Sequence, residues 1–264
     1  MIASMARSFD IVEAIGNGYL ATWRERRWLA RLAFVPVVAK IVGLQIILLL
    51  GLERNFLGQA IVLLPAFVAE GWLVVRYVRL LALGERWPDH QNAPGFRPDP
   101  RPVLAGILAY TLMQFVLRGL VALAMVGAAA GQGADMAQTS QPDPVAFALA
   151  GGMLLVVIWS FRYLWLYILA SLGIGLREFL SAIRGFPASF AMIGTWIVCF
   201  LPFMMALGVV AGLVLSPWRA GGEVPILVDG GMAALQAVLD TTISLVSTAA
   251  MTYGIRQIFG APKP

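Results

Sequence analysis

The chain has 264 residues, 60% of them hydrophobic and 12% charged, with a mean hydropathy of +0.82; soluble domains carry roughly 25% charge, so a water-bathed globule is excluded and a lipid-bathed one indicated. The net charge of +5 is read as a signal of membrane sidedness and not as a nucleic-acid footprint. One cysteine, Cys199, and one histidine, His90, exclude intramolecular disulfides, multi-cysteine metal centres and paired His chemistry, and no metal or cofactor is expected.

In chain order, MIASMARSFDIVEAIGNG lacks a short apolar core followed by a small-residue cleavage site, so the first membrane span itself is expected to direct insertion. Residues 8–31 read as an amphipathic helix, with Phe9, Val12, Ile15, Tyr19 and Trp23 at helical spacing ahead of RERR and Arg31. Two readings stand side by side. The helix lies in the headgroup layer with Arg24, Arg26, Arg27 and Arg31 on anionic lipid, each worth about 1 kcal/mol, or it packs on the protein's own cytoplasmic face. Gly16, Gly18 and Ala21 spell the letters of a dinucleotide fingerprint, but no strand precedes them and no βαβ unit follows.

A span needs about 20 apolar residues to cross roughly 30 Å of hydrocarbon. Six stretches qualify: 32–52, 56–78, 103–129, 145–170, 188–215 and 231–256. With the N-terminus in the cytoplasm, 14 basic residues fall inside (Arg7, Arg24, Arg26, Arg27, Arg31, Arg76, Arg79, Arg86, Arg97, Arg101, Arg177, Arg184, Arg256, Lys263) and 2 outside (Arg54, Arg219). The positive-inside rule therefore places both termini in the cytoplasm. Segments 131–144 and 216–231 have outer-loop composition, and 84–102, with five prolines and His90, is a cytoplasmic linker. The expected fold is all-α: a polytopic bundle of about six transmembrane helices plus cytoplasmic interfacial helices, with 103–170 a central hairpin between the arms 32–79 and 188–256.

Pro65 and Pro202 are expected to kink their helices, and Gly127 with Gly131, and Gly208 with Gly212, carry the GxxxG spacing of close helix packing. The aromatic set Trp159, Phe161, Tyr163, Trp165 and Tyr167 reads as a belt or packing surface. Near the C-terminus, Asp240, Thr241, Thr242, Ser244, Ser247, Thr248 and Thr252 make one hydroxyl-rich span.

The arms share features. IVEAIGNG (11–18) precedes the first span as LREFLSAIRGFP (176–187), within the interfacial segment 173–187, precedes the fifth; FVP (34–36) pairs with FLP (200–202), and QAIVL (59–63) with QAVL (236–239). A parallel duplication is the expectation. On AIGNGYLATW with FVP, and SAIRGF with FLP, the chain resembles bacterial inner-membrane proteins of the YciC kind over 9–79 and 176–256. That resemblance implies an inner-membrane setting and involvement with lipids, and it transfers no catalytic residue.

Five ionisable residues fall within spans: Lys40, Glu70, Arg118, Arg162 and Asp240. Each costs about 2.5–3.5 kcal/mol at a helix centre. Lys40 lies nine residues past Arg31 and Glu70 nine before Arg79, so at 1.5 Å per residue both sit roughly 14 Å from the cytoplasmic boundary and are expected to pair. Arg162 falls near that layer, and Arg118 with Asp240 is expected as a second pair in the outer half. These charges either hold helices in register or line an embedded polar site. No HExxH, P-loop or nucleophile elbow is present. The expected function is that of a non-enzymatic membrane protein interacting with lipids, other membrane proteins or a second copy; the alternative is a transporter or channel-like protein.

Overall fold

The computed structural model describes residues 9–52, 55–88, 99–132, 155, 158–182, 185–218 and 225–259. His90, Arg7, Arg54, Arg97, Arg184, Arg219, Lys263, most of the loop 131–144 and most of the first half of the expected fourth span lie outside them.

Among the described residues every regular element is a helix. Helix α1 (Ile11–Arg24) starts on Asp10, whose carboxylate accepts the Glu13 main-chain N–H at 3.0 Å and so satisfies one of the free first-turn donors. It stops at Glu25, and α2 (Arg26–Leu49) begins at the next residue. The segment read as one amphipathic helix over 8–31 is therefore two helices, and Arg26, Arg27 and Arg31 belong to the first turns of α2. Helix α3 (Phe56–Leu83) is capped by Asn55, which accepts the Gly58 N–H at 2.9 Å, and ends on Gly84 at φ 71°. Only glycine takes that left-handed conformation without strain, which makes it the usual helix stop.

Helix α4 is Pro100–Gln132. A 3₁₀ turn, Phe161–Trp165, leads into the short α5 (Leu166–Leu172), followed by α6 (Leu176–Ala182), α7 (Gly185–Val214) and α8 (Ile226–Phe259). Helix α8 thus starts five residues before the expected boundary at 231. Pro36, Pro65 and Pro202 lie inside α2, α3 and α7, which run through them.

Five helices are long and apolar enough to cross a membrane: Arg26–Leu49, Phe56–Leu83, Pro100–Gly119, Phe186–Val214 and Leu227–Phe259. Of the expected fourth span, the described part is the shorter apolar helix Ile158–Leu172. Large apolar side chains stand on the outside of the bundle. On α7, Ile197, Leu201, Met205, Val209 and Leu213 recur every four residues and are 44–72% exposed. Against lipid tails such a stripe needs no protein cover.

Helix α8 is the hub, packing on α1, α2, α3 and α7. Small residues bring the backbones together. A Cβ added at Gly18 would stand 2.7 Å from the Ala250 main-chain nitrogen, and one at Gly106 would stand 2.9 Å from Ser171 Cβ. The stripe Phe9, Val12, Ile15, Tyr19 and Trp23 does not form a single face. Ala14, Gly18 and Ala21 are the buried line of α1, Ile15 and Tyr19 pack beside it, and Val12 and Trp23 are 82% and 69% exposed. Helix α1 therefore docks on the bundle through its smallest residues and leaves its larger ones exposed. Among the described residues nothing lies within 4 Å of a Cβ added at Gly208, so that end of its GxxxG spacing makes no close contact with them.

These contacts predict opposite outcomes for two neighbouring glycines. Gly18→Ala forces α1 away from Ala250 and is expected to cost about 1–3 kcal/mol by overpacking, lowering the thermal midpoint in detergent. Gly16→Ala meets open space and is expected to be neutral or stabilising by up to about 1 kcal/mol through helix propensity.

Candidate functional site: an embedded ion cluster

The three helices that meet at mid-bundle each contribute one charge. Lys40 on α2 donates from Nζ to Glu70 Oε1 on α3 at 2.7 Å and to Asp240 Oδ2 on α8 at 2.5 Å. Helices α2 and α3 are antiparallel and joined by a short connection. Lys40 and Glu70 each lie fourteen residues past the first residue of their helices, Arg26 and Phe56, about 21 Å at the helical rise. Asp240 lies fourteen residues past Ile226, the same rise from its helix start as Glu70, and the shared bond to Lys40 holds the two carboxylates at one level. Lys40 and Glu70 are 3% and 0% exposed, and the Asp240 side chain is 51% exposed.

The pairing of Asp240 departs from the expected one with Arg118. Rise per residue counted from the cytoplasmic side put Asp240 in the outer half, whereas the structure brings its carboxylate to Lys40 on α2. Arg118 instead lies over the Phe67 ring at 4.9 Å from its centroid, a cation–π arrangement, and feels Asp240 and Glu70 at longer range. Two carboxylates face one ammonium and one guanidinium, so the set is formally neutral. Arg162 is buried in the 3₁₀ turn. Its guanidinium lies 4.4 Å from the Trp159 ring centroid and 5.1 Å from that of Tyr163, and donates to the Tyr163 hydroxyl at 3.2 Å. No ion pair joins it to Glu70 or Asp240.

A hydroxyl network surrounds the cluster. Gln114 Nε2 donates to the Tyr110 hydroxyl at 2.7 Å, Tyr110 donates to Ser244 at 3.3 Å, and the hydroxyls of Tyr167 and Thr248 bond at 2.8 Å. The Tyr110 and Tyr167 rings meet edge to face at 5.2 Å. Glu70 Oε2 is buried without a hydrogen-bond partner. Beside the network lies a cavity of about 120 Å³, whose lining includes Gln114, Tyr110, Ser244 and Asp240. Trp165 and Ser247 also line it, and both Trp165 Nε1 and Ser247 Oγ are buried and unpartnered. The rest of the lining includes Met113, Leu117, Phe161, Leu164, Trp196 and Phe200, so the cavity sets a few polar groups in a largely apolar wall, the usual make-up of a small-molecule site. Reading the chain alone missed Tyr110 and Gln114; the signal available was two hydrogen-bonding side chains four residues apart on one helix face.

Arg24, Arg26, Arg27 and Arg31 are all exposed around the α1–α2 joint. Arg26 sits 4.5 Å from the Trp23 ring centroid and donates to the Trp23 carbonyl at 3.0 Å. Glu25, the acid between them, is paired with Arg86, so the arginines keep their excess positive charge. Among the described residues no group of three or more His, Cys, Asp or Glu is placed to hold a metal ion.

Removing one partner from a buried ion pair leaves an uncompensated charge, worth about 3–5 kcal/mol. Glu70→Lys is therefore expected to lower the yield of folded protein sharply. Exchange with Lys40→Glu should restore only part of it, because Glu at position 40 would then face Asp240; adding Asp240→Lys should recover more. Folded yield after detergent extraction, followed across the single, double and triple variants, measures this coupling. Searches found no matching family model, no matching curated protein and no matching solved structure.

Proposed function

We propose that this chain is a non-enzymatic multi-pass protein of a bacterial inner membrane, with both termini in the cytoplasm, that handles a small polar solute at a mid-membrane site in the manner of a transporter or channel. One observation carries the reading: Asp240 is bonded to the embedded Lys40, which also holds Glu70, yet half of its side chain is exposed and it lines a cavity together with Tyr110, Gln114 and Ser244. A clamp needed only for register has no use for that exposure, whereas ionisable groups facing a cavity inside a bundle are the usual mark of a solute or ion path. The orientation rests on the 14 to 2 distribution of basic residues. The inner-membrane setting is supported by the likeness to the YciC kind, in which the two arms would be copies of one helix-plus-hairpin unit.

A second reading, interaction with lipids or other membrane components, is favoured by the four exposed arginines at the α1–α2 joint. Both activities fit one molecule.

Thiol accessibility tests the solute path. In a Cys199→Ser background, Ser244→Cys and Asp240→Cys are expected to react with a membrane-impermeant thiol reagent in intact membranes. Ala250→Cys, buried against Gly18, is expected to stay unlabelled. Closed thiols at both 240 and 244 would leave the cluster a structural clamp and remove the transport reading.

A further inference from the structure

A groove of about 380 Å³ runs along the seam between α2 and α8. One wall is Arg26, Ala30, Ala33 and Val37, a single face of α2, and the other includes Val238 and Thr242 of α8. From Arg26 to Val37 is eleven residues, about 16 Å of helix, which matches one leaflet, half of the roughly 30 Å hydrocarbon layer. On α2 the groove begins at a charged residue and ends about one turn before Lys40, and on α8 its lining from Val238 to Leu245 spans the position of Asp240.

Its walls are less polar than their composition suggests. Thr242 gives its hydroxyl proton to the Val238 carbonyl at 2.8 Å, and Thr241 to that of Ala237 at 2.9 Å. Thr22, at the charged end, is bonded to the Gly18 carbonyl and the Tyr77 hydroxyl. Hydroxyls spent on main chain in this way are not offered to a groove occupant. The opening is the reverse. Arg26 is held in place by the Trp23 ring and carbonyl, Arg24, Arg27 and Arg31 are exposed around it, and Glu25 is occupied by Arg86. Guanidinium groups bind phosphate oxygens in a planar, two-pronged geometry that ammonium groups do not match. Next to Arg31, the exposed side chains of Phe34 and Val38 continue an apolar surface along α2.

We infer that the α2–α8 seam is a binding site for an anionic glycerophospholipid, one acyl chain lying in the groove and the phosphate held by Arg26 with Arg27 beside it. The charge at one end, the apolar walls and a length of one leaflet fit this occupant together. A soluble anion would use only the arginines, and a zwitterionic lipid would gain nothing from their excess charge. The seated chain would cover the lateral approach to Lys40 and Asp240. The inference is independent of any solute in the cavity.

The test uses the full chain, stripped of lipid in mild detergent, titrated with phosphatidylglycerol or phosphatidylcholine and read by native mass spectrometry and thermal midpoint. Wild type is expected to retain phosphatidylglycerol at least about tenfold better than phosphatidylcholine. Arg26→Gln with Arg27→Gln should remove that preference, since both side chains are exposed and their loss spares the fold. Ala30→Trp, which fills the groove from an exposed position, should abolish retention, and Leu57→Trp, on the exposed face of α3, should leave it unchanged. Equal retention of the two lipids by wild type, a preference that survives in the double glutamine variant, or wild-type retention in Ala30→Trp would each overturn the proposal; inorganic phosphate competing as well as the lipid would reduce the site to an anion patch and overturn it too.

Discussion

The bond from Lys40 to two carboxylates organises this molecule, because hydrocarbon supplies no other solvent for the charges involved. In water an exposed pair contributes little, but within a bilayer an unpaired ammonium or carboxylate is expensive enough to forbid most alternative arrangements. Two neighbouring helices and a third from the far end of the chain are therefore held at one level by a single ammonium. A slip of α3 or α8 by one turn would move its carboxylate about 5.4 Å and leave Lys40 with one partner or none. Apolar packing cannot set register so sharply, since a leucine is as content against lipid as against another leucine.

How far the chain could be read depended on how local the determinant was. The α2–α3 pairing was legible because a short connection at 50–55 forces the helices antiparallel and lets one count residues inward from each end. Neither the place of Asp240 nor the start of its helix was legible. PILVDGG reads as loop on account of Gly230 and Gly231, yet those glycines lie inside α8; glycine weakens helices in water and is commoner in membrane helices. The buried face of α1 escaped for a related reason. Periodicity finds the most apolar stripe, but here proximity decides, and Ala14, Gly18 and Ala21 allow an approach that Val12 or Trp23 would block. All-helical, membrane-type architecture followed from composition and run length alone, and five of the six expected spans have a described helix long enough to cross.

Helix α8 presents different chemistry to its two flanks. Toward α4 and α5 it turns Ser244, Ser247 and Thr248 into the cavity, where hydroxyls meet Tyr110 and Tyr167 or remain unsatisfied. Toward α2, Thr241 and Thr242 fold their hydroxyls back onto the helix's own carbonyls. The same residue types thus offer hydroxyls on one side and withhold them on the other, according to whether a partner stands within reach. Asp240 lies at the boundary between them, beside Lys40 at the end of the seam and within the cavity lining.

The seat of α1 bears on biogenesis. Its closest neighbours belong to α8: Gly18 rests on Ala250, the Phe9 ring lies against Gly254, and the Asp10 main-chain N–H donates to the Gln257 side chain at 2.8 Å. A ribosome delivers α1 more than two hundred residues before those partners exist. Throughout translation this helix lacks its main packing partner, until the final hairpin is made and receives it. Its docking is a closing latch on assembly, and a nascent chain halted before α8 would leave that latch undone.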